Sequence, residues 1–255
     1  MKWIRDRVLK GELSSGTFLN LGSSLTAEIA GQAGFDHVVI DLEHGSGDHD
    51  SLLIQLQALE SSPAAVIVRV AWNEAPRFKR VLDLGASGVM VPWVNSEAEA
   101  RAAVAAMRYP PEGVRGLAGW TRASRFGPGF QDYFSEANKN LVTVIQIETP
   151  EALENLESIA GVEGVDVLFV GPSDLSASMG IPRQFEHPRM KEAYAKTVSV
   201  SKAHGKAAGI LLQTPDQLEH FIDLGFNFVS LSSDAACVTK GLYENAASFD
   251  RFRIK

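Results

Sequence analysis

Eight polar side chains stand where short apolar runs end. HVVIDLEH closes on Asp41, Glu43 and His44, and AVIVRV carries Arg69. VTVIQIE ends in Gln146 and Glu148, and DVLFVGPSDLS runs into Ser173 and Asp174. Side chains two apart in an extended chain share a face, so Gln146 and Glu148 point the same way as Val142 and Val144. A carboxylate buried on such a face needs a positive partner, because burial without one costs several kcal/mol. Arg69 could pair with Glu148 as a plain salt bridge. A divalent cation shared by Glu148 and Asp174 is the sharper alternative, and two carboxylates with open positions for water and substrate suit Mg2+ or Mn2+. A lysine is the third possibility, but none of the ten lysines falls at the end of an apolar run, which argues against Schiff-base chemistry.

His44 precedes a flexible Gly45-Ser46-Gly47 turn. Asp41 or Glu43 could orient its ring and set its tautomer, which makes it the candidate acid/base residue. In GPSDLS, Gly171 and Pro172 turn the chain and a short helix is expected near Asp174. Its first free amides would favour an anion, or Ser173 and Asp174 would simply cap it. His37, at the start of its run, reads as structural, and His204 suits a helix end. His49, His187 and His220 read as solvated residues.

The elements that must carry these groups recur regularly. Strands are expected at 17–22, 37–43, 65–70, 88–93, 142–148, 166–171, 206–212 and 226–232, with amphipathic segments between most of them. Several segments open on Ser or Thr and close on Gly, and Thr149-Pro150 and Thr214-Pro215 each place a cap before a proline at the first helical position. Eight strand–helix units without a linker predict one (β/α)8 TIM barrel over 1–255, with its chemistry at the strands' C-terminal ends. An open doubly wound sheet fits less well, because no GxGxxG follows the first strand. The stretch 108–140 reads as a long loop, expected to pack between subunits or line the site through Trp120, Arg122 and Arg125.

A net charge of −7 argues against nucleic acid and anionic membrane as partners. The single cysteine, Cys237, excludes an intrachain disulfide and reads as a small buried side chain near a helix start. No run approaches the ~18 apolar residues of a membrane span. A soluble protein in a reducing, cytoplasmic setting is the expectation.

Taken together, VVIDLEH, VIVRVAWN, VLDLGASGVMVPWV, MRYPPEGVRG, VIQIETPEAL and GVDVLFVGPSDLSASMG resemble the HpcH/HpaI aldolase family, in order and over nearly the whole chain. The resemblance implies a metal-dependent pyruvate aldolase that cleaves a 4-hydroxy-2-oxo acid, with Mg2+, Mn2+ or Co2+ held by Glu148 and Asp174. It implies that Arg69 faces the substrate's keto oxygen near Gln146, and that His44 moves protons with support from Asp41. Glu43 would lie near metal-bound water, and the amides of Ser173 and Asp174 would hold the substrate carboxylate. Trp93 and Leu211, at the ends of the fourth and seventh runs, are expected to line the pocket. Asp83 matches an aspartate that reaches the site of an adjacent subunit, in a hexamer built as a trimer of dimers with the last helix swapped. Phe18, Leu42 and Ser173 depart from residues frequent in the family; they flank the pocket and bear on the aldehyde. An acyl-CoA lyase on a related barrel is the alternative, with the arginines of RYPPEGVRG and TRASRFG as candidates for the CoA phosphates. A non-catalytic metal-carboxylate binder is another.

Overall fold

The computed structural model describes residues 2–253. Its strands are β1 (Ser14–Leu19), β2 (His37–Asp41), β3 (Ala65–Arg69), β4 (Gly88–Val91), β5 (Val142–Ile147), β6 (Val167–Val170), β7 (Ala207–Leu212) and β8 (Phe228–Ser233). Each lies parallel to the next, and Ser14 and Ser15 of β1 pair with Phe228 and Val229 of β8 to close the ring. That closure establishes the (β/α)8 barrel and excludes the open sheet.

The helices are α1 (Arg5–Leu9), α2 (Ser24–Gln32), α3 (His49–Ala58), α4 (Ala75–Leu84), α5 (Glu97–Met107), α6 (Phe130–Asn140), α7 (Pro150–Glu154), α8 (Leu156–Ala160), α9 (Pro172–Ser178), α10 (Pro188–Ala203), α11 (Leu218–Leu224) and α12 (Asp234–Ala247). Side-chain caps start several of them: Ser23, Ser96 and Thr149 each accept an amide two or three residues inside their helix. None is long and apolar enough to cross a membrane among the described residues.

Three boundaries differ from the sequence pattern. β1 starts at Ser14 because the serines before the apolar run already pair with β8. TPEALENLESIAG divides into α7 and α8 at Asn155, whose side-chain amide donates to the Asn95 carbonyl at 2.7 Å. The expected loop at 108–140 contains α6, anchored through Asn138, which accepts from the Tyr109 amide at 2.8 Å and donates to its carbonyl at 3.0 Å.

Strand alternation separates two apolar layers. Val38, Ile40, Val66, Val68, Val89, Val91, Ile145 and Ile147 pack outward against the helices. Val39, Ile67, Met90, Val142, Val144, Val167, Phe169 and Phe228 fill the interior, with Ile4 and Val8 of the amphipathic N-terminal segment joining them. This parity decides the site. Gln146 continues the inward row of Val142 and Val144, and Arg69 continues that of Ala65 and Ile67.

His37 is buried in the barrel floor. Its ring nitrogens meet the hydroxyls of Ser14 at 2.9 Å and Ser230 at 3.1 Å, and it stacks on Phe228 with centroids 4.0 Å apart. A Cβ on Gly16 would lie 2.1 Å from the ring, so only glycine fits there. Burial pushes the His37 pKa down from 6.5 to about 3, with Asp36 opposing weakly. Between those values the unfolded chain binds a proton that the folded chain does not, so stability rises with pH across that window. Urea-unfolding free energies should therefore fall as pH drops from about 6.5 toward 3, and His37→Gln should flatten the slope. An unchanged slope in the variant would place the acid sensitivity elsewhere.

Candidate active site

At the C-terminal rim, Asp41 and Arg69 occupy paired positions on β2 and β3. Arg69 Nε and Nη2 donate to Asp41 Oδ1 and Oδ2 at 2.9 and 2.7 Å, and Nη1 lies 3.1 Å from Glu43 Oε2. The guanidinium also sits 5.2 Å from the ring of Phe18. Burial alone would raise the Asp41 pKa, but the Arg69 fork and the amides of Glu43 and His44 outweigh it and hold the carboxyl below its usual range. Those two amides reach Asp41 Oδ1 at 3.0 and 3.2 Å, so one carboxylate shapes the turn after β2. Asp41 thereby acts on the backbone of His44 and not on its ring. The imidazole is 62% exposed, and its Nε2 lies 3.9 Å from Glu43 Oε1.

Glu148 is buried just past β5 and forms no ion pair with Arg69, whose carboxylate partners are Asp41 and Glu43. Its oxygens accept instead from the Trp93 amide at 2.7 Å and from Gln146 Nε2 at 3.0 Å. Trp93 delivers that amide from a left-handed backbone with φ 55°, uncommon for a bulky side chain, and its ring stacks near Trp72. Burial pushes the Glu148 pKa up to about 7. The Trp93 amide opposes this, and the charges of Glu43 and Asp174 add to it. Glu43 too is raised, chiefly by burial. Four carboxylates thus share this end of the barrel with one guanidinium. Gln146 Oε1 is a buried acceptor with no hydrogen bond among the described residues.

That donor set fits a hard divalent cation: carboxylate oxygens, a free amide oxygen and uncompensated negative charge. Among the described residues no three His, Cys, Asp or Glu side chains cluster as a closed metal cage. A cation here would hold positions open to other ligands.

The remaining expected residues fall into two groups. Leu211 faces the interior from β7, and Asp174 and the exposed Ser173 lie on α9, which starts at Pro172 and thus two residues earlier than expected. Asp83 does not join the rim of its own chain. It lies on α4, where Arg115 Nη2 donates to it at 2.7 Å, and Arg115 is buried between Tyr109 and Tyr133. Arg122 pairs with Glu60 and donates to the carbonyls of Leu56 and Leu84 of its own chain. Trp120 is exposed. Cys237 is exposed as well, contrary to the buried role expected, because α12 leaves the barrel wall after Ala235.

Two site residues are not singled out by type alone. Asn20 donates to Asp41 Oδ2 at 2.6 Å, and its backbone amide donates to Asp234 Oδ1 at 2.7 Å. Asp234 also accepts from Ala235 and from the Thr26 hydroxyl. The available signal for Asn20 was its parity with inward Phe18; nothing local marks Asp234 as the clasp between the first and last rim loops.

Residues 14–240 match the HpcH/HpaI aldolase/citrate lyase family. The chain belongs to that family. It is a carbon–carbon lyase of the aldolase type. A 5-keto-4-deoxy-D-glucarate aldolase from Salmonella arizonae is 40% identical over 240 residues, covering 94% of this chain and 93% of the relative. A 4-hydroxy-2-oxo-heptane-1,7-dioate aldolase from Salmonella dublin is 39% identical over 246 residues, covering 96% and 93%. The crystal structure of a family member from Burkholderia cenocepacia superposes with a TM-score of 0.91 at 32% identity, covering 96% of this chain and 98% of that one.

The placement of Glu148 and Gln146 depends on a close approach at Gly171. A Cβ there would stand 2.8 Å from Glu148 Oε2 and 3.3 Å from Gln146 Nε2. Gly171→Ala should keep its circular dichroism spectrum yet lose about 10²-fold in turnover, because it displaces the carboxylate. Turnover near the parent level would mean that Glu148's position is not critical.

Proposed function

We propose that the enzyme reversibly cleaves a 4-hydroxy-2-oxo acid into pyruvate and an aldehyde, using a divalent cation at Glu148 and Asp174. The observation that carries this reading is the buried Glu148 carboxylate, which makes no ion pair among the described residues and feels Arg69 only through space. The two relatives, both aldolases of keto acids, support the same chemistry. Bound there, Mg2+, Mn2+ or Co2+ would supply Lewis-acid polarisation of the substrate's keto group.

The chain's own residues do the rest. Cleavage between C3 and C4 moves an electron pair toward the 2-keto oxygen. Arg69 keeps N–H donors beyond those engaged by Asp41 and Glu43, and they stabilise charge developing on that oxygen. Asp41 holds the guanidinium in place. His44 is exposed at the rim and exchanges the proton lost from the C4 hydroxyl, with Glu43 its nearest carboxylate. Ser173 and Asp174 present backbone amides to the substrate carboxylate, and Gln146, Trp93 and Leu211 bound the pocket. The acyl-CoA alternative lacks support at this rim. Arg115 is buried against two tyrosines, Arg122 pairs with Glu60, and Arg108 lies near the opposite end of the strands.

Solvent exchange of the pyruvate methyl protons in deuterated water tests the reading without knowledge of the aldehyde. Mn2+ should support exchange, exhaustive chelation should abolish it, and Arg69→Ala should slow it about 10²-fold. No exchange at saturating Mn2+ would leave a non-catalytic carboxylate binder. Exchange that survives chelation would reject the cation.

The same reading includes a homo-oligomer, a hexamer, that exchanges its last helix, with Asp83 reaching a neighbouring site. Support comes from α12, whose Val238, Leu242 and Tyr243 are exposed, as are Phe249 and Phe252 beyond it. An apolar groove of about 580 Å³ runs beside its start, lined by Ile29, Ala33, Phe35, Pro215 and Leu231. Sedimentation should show an assembly larger than a monomer, and Leu242→Glu with Tyr243→Glu should shift it toward monomer. A parent protein that sediments as a monomer would sink this proposal.

A further inference from the structure

A second concave site lies near the N-terminal ends of the strands. It sits between the end of α5, the end of α6 and the 161–164 turn before β6, and it encloses about 520 Å³. Its charged lining is Arg5, Arg101, Arg108, Lys139, Glu112 and Glu163. Glu148 and Asp174 stand at the other ends of β5 and β6, so this cavity belongs to neither the metal-binding nor the substrate-binding region.

Arg108 is the unsatisfied group. It is only 5% exposed, yet its buried Nε and Nη2 make no hydrogen bond among the described residues. Burial, with the like charge of Arg5, pulls its pKa down. A buried charge without a close partner is costly, and a native fold rarely keeps one idle. Asp166 offsets that charge only through space, because its oxygens are taken by other donors. Arg5 Nε sits 3.0 Å from both Asp166 oxygens, Arg5 Nη2 lies 2.9 Å from Oδ1, and the Thr143 amide donates to Oδ2 at 2.9 Å. Glu112 and Glu163 lie on the exposed lip and act on Arg108 only through space. Lys206 is close enough to feel Asp166, Arg5 and Glu163, which adds another cation to the surroundings.

The backbone keeps Arg108 in place. Its carbonyl accepts from the Arg115 amide at 2.9 Å, and Asn138 brackets the next residue, Tyr109, by its amide and carbonyl. The backbone that carries the guanidinium is therefore fixed at the cavity wall.

We propose that this cavity binds the oxyanion group of a small metabolite, a phosphate or a carboxylate, with Arg108 as the buried anchor and Arg5, Arg101 and Lys139 around the mouth. A planar guanidinium fork matches either group through paired charge-assisted hydrogen bonds. The inference does not depend on the reaction at the rim.

Calorimetric titration of the full chain with inorganic phosphate, and separately with succinate, at ionic strength held constant with chloride, tests it. The Arg69→Ala protein serves as a control in which the rim is altered and this cavity is intact. One saturable event per chain is expected in both proteins. Arg108→Gln should weaken it about tenfold or more, as loss of a charged hydrogen-bond partner implies. Arg101→Gln, on an exposed side chain that carries no folding risk, should weaken it severalfold, so the test stands even if the Arg108 variant fails to fold. A preference for phosphate assigns a phosphorylated ligand, and a preference for succinate assigns a carboxylate. Absence of saturable binding of either anion, or binding indifferent to both substitutions, would overturn the proposal.

Discussion

The rim is governed by an imbalance of charge: Asp41, Glu43, Glu148 and Asp174 influence one another, and one guanidinium stands among them. Arg69 is held by a two-point bond to Asp41, and removing one partner of such a buried pair typically costs about 3–5 kcal/mol. That strength matters for what it prevents. The guanidinium is not free to neutralise Glu148, which rests on a backbone amide and a side-chain amide while burial and like charges favour its protonated form. A site arranged in this way is preset to receive positive charge from outside the chain.

The imbalance survives because the ring of strands leaves no open edge. Asp234, after the last strand, holds the amide of Asn20 after the first; Asn20 holds Asp41; Asp41 holds Arg69. Each link joins neighbouring strand ends. The polar groups are thus fixed by one another and by the apolar interior beneath them, where Phe18, Met90, Val144 and Phe169 meet. His44 stands apart from this chain of links, with its imidazole exposed to solvent.

Much of this was legible from period alone. The inward parity of Val142, Val144 and Gln146, and of Ala65, Ile67 and Arg69, required only that the runs be strands. All eight strands overlap the expected runs, with β1 displaced toward its serines, and the motif order already resembled the family that the chain belongs to. What period cannot show is which of two acids receives a given base. Asp41, not Glu148, takes the Arg69 fork, because register places Asp41 directly opposite it. Nor can a single sequence show that Cys237 is exposed, since burial of α12 depends on what lies across its apolar side chains. The α6 helix was hidden for another reason: the glycines and prolines that precede it read as loop, and its 11 residues were absorbed into that impression.

Trp93 carries a separate lesson. Its left-handed backbone costs an L residue roughly 1–2 kcal/mol, and that conformation aims its amide at Glu148. Selection for heat resistance alone would favour relaxing this residue, while selection for rate would preserve it. Position 93 is therefore a point where the fold gives up some robustness to seat a buried carboxylate.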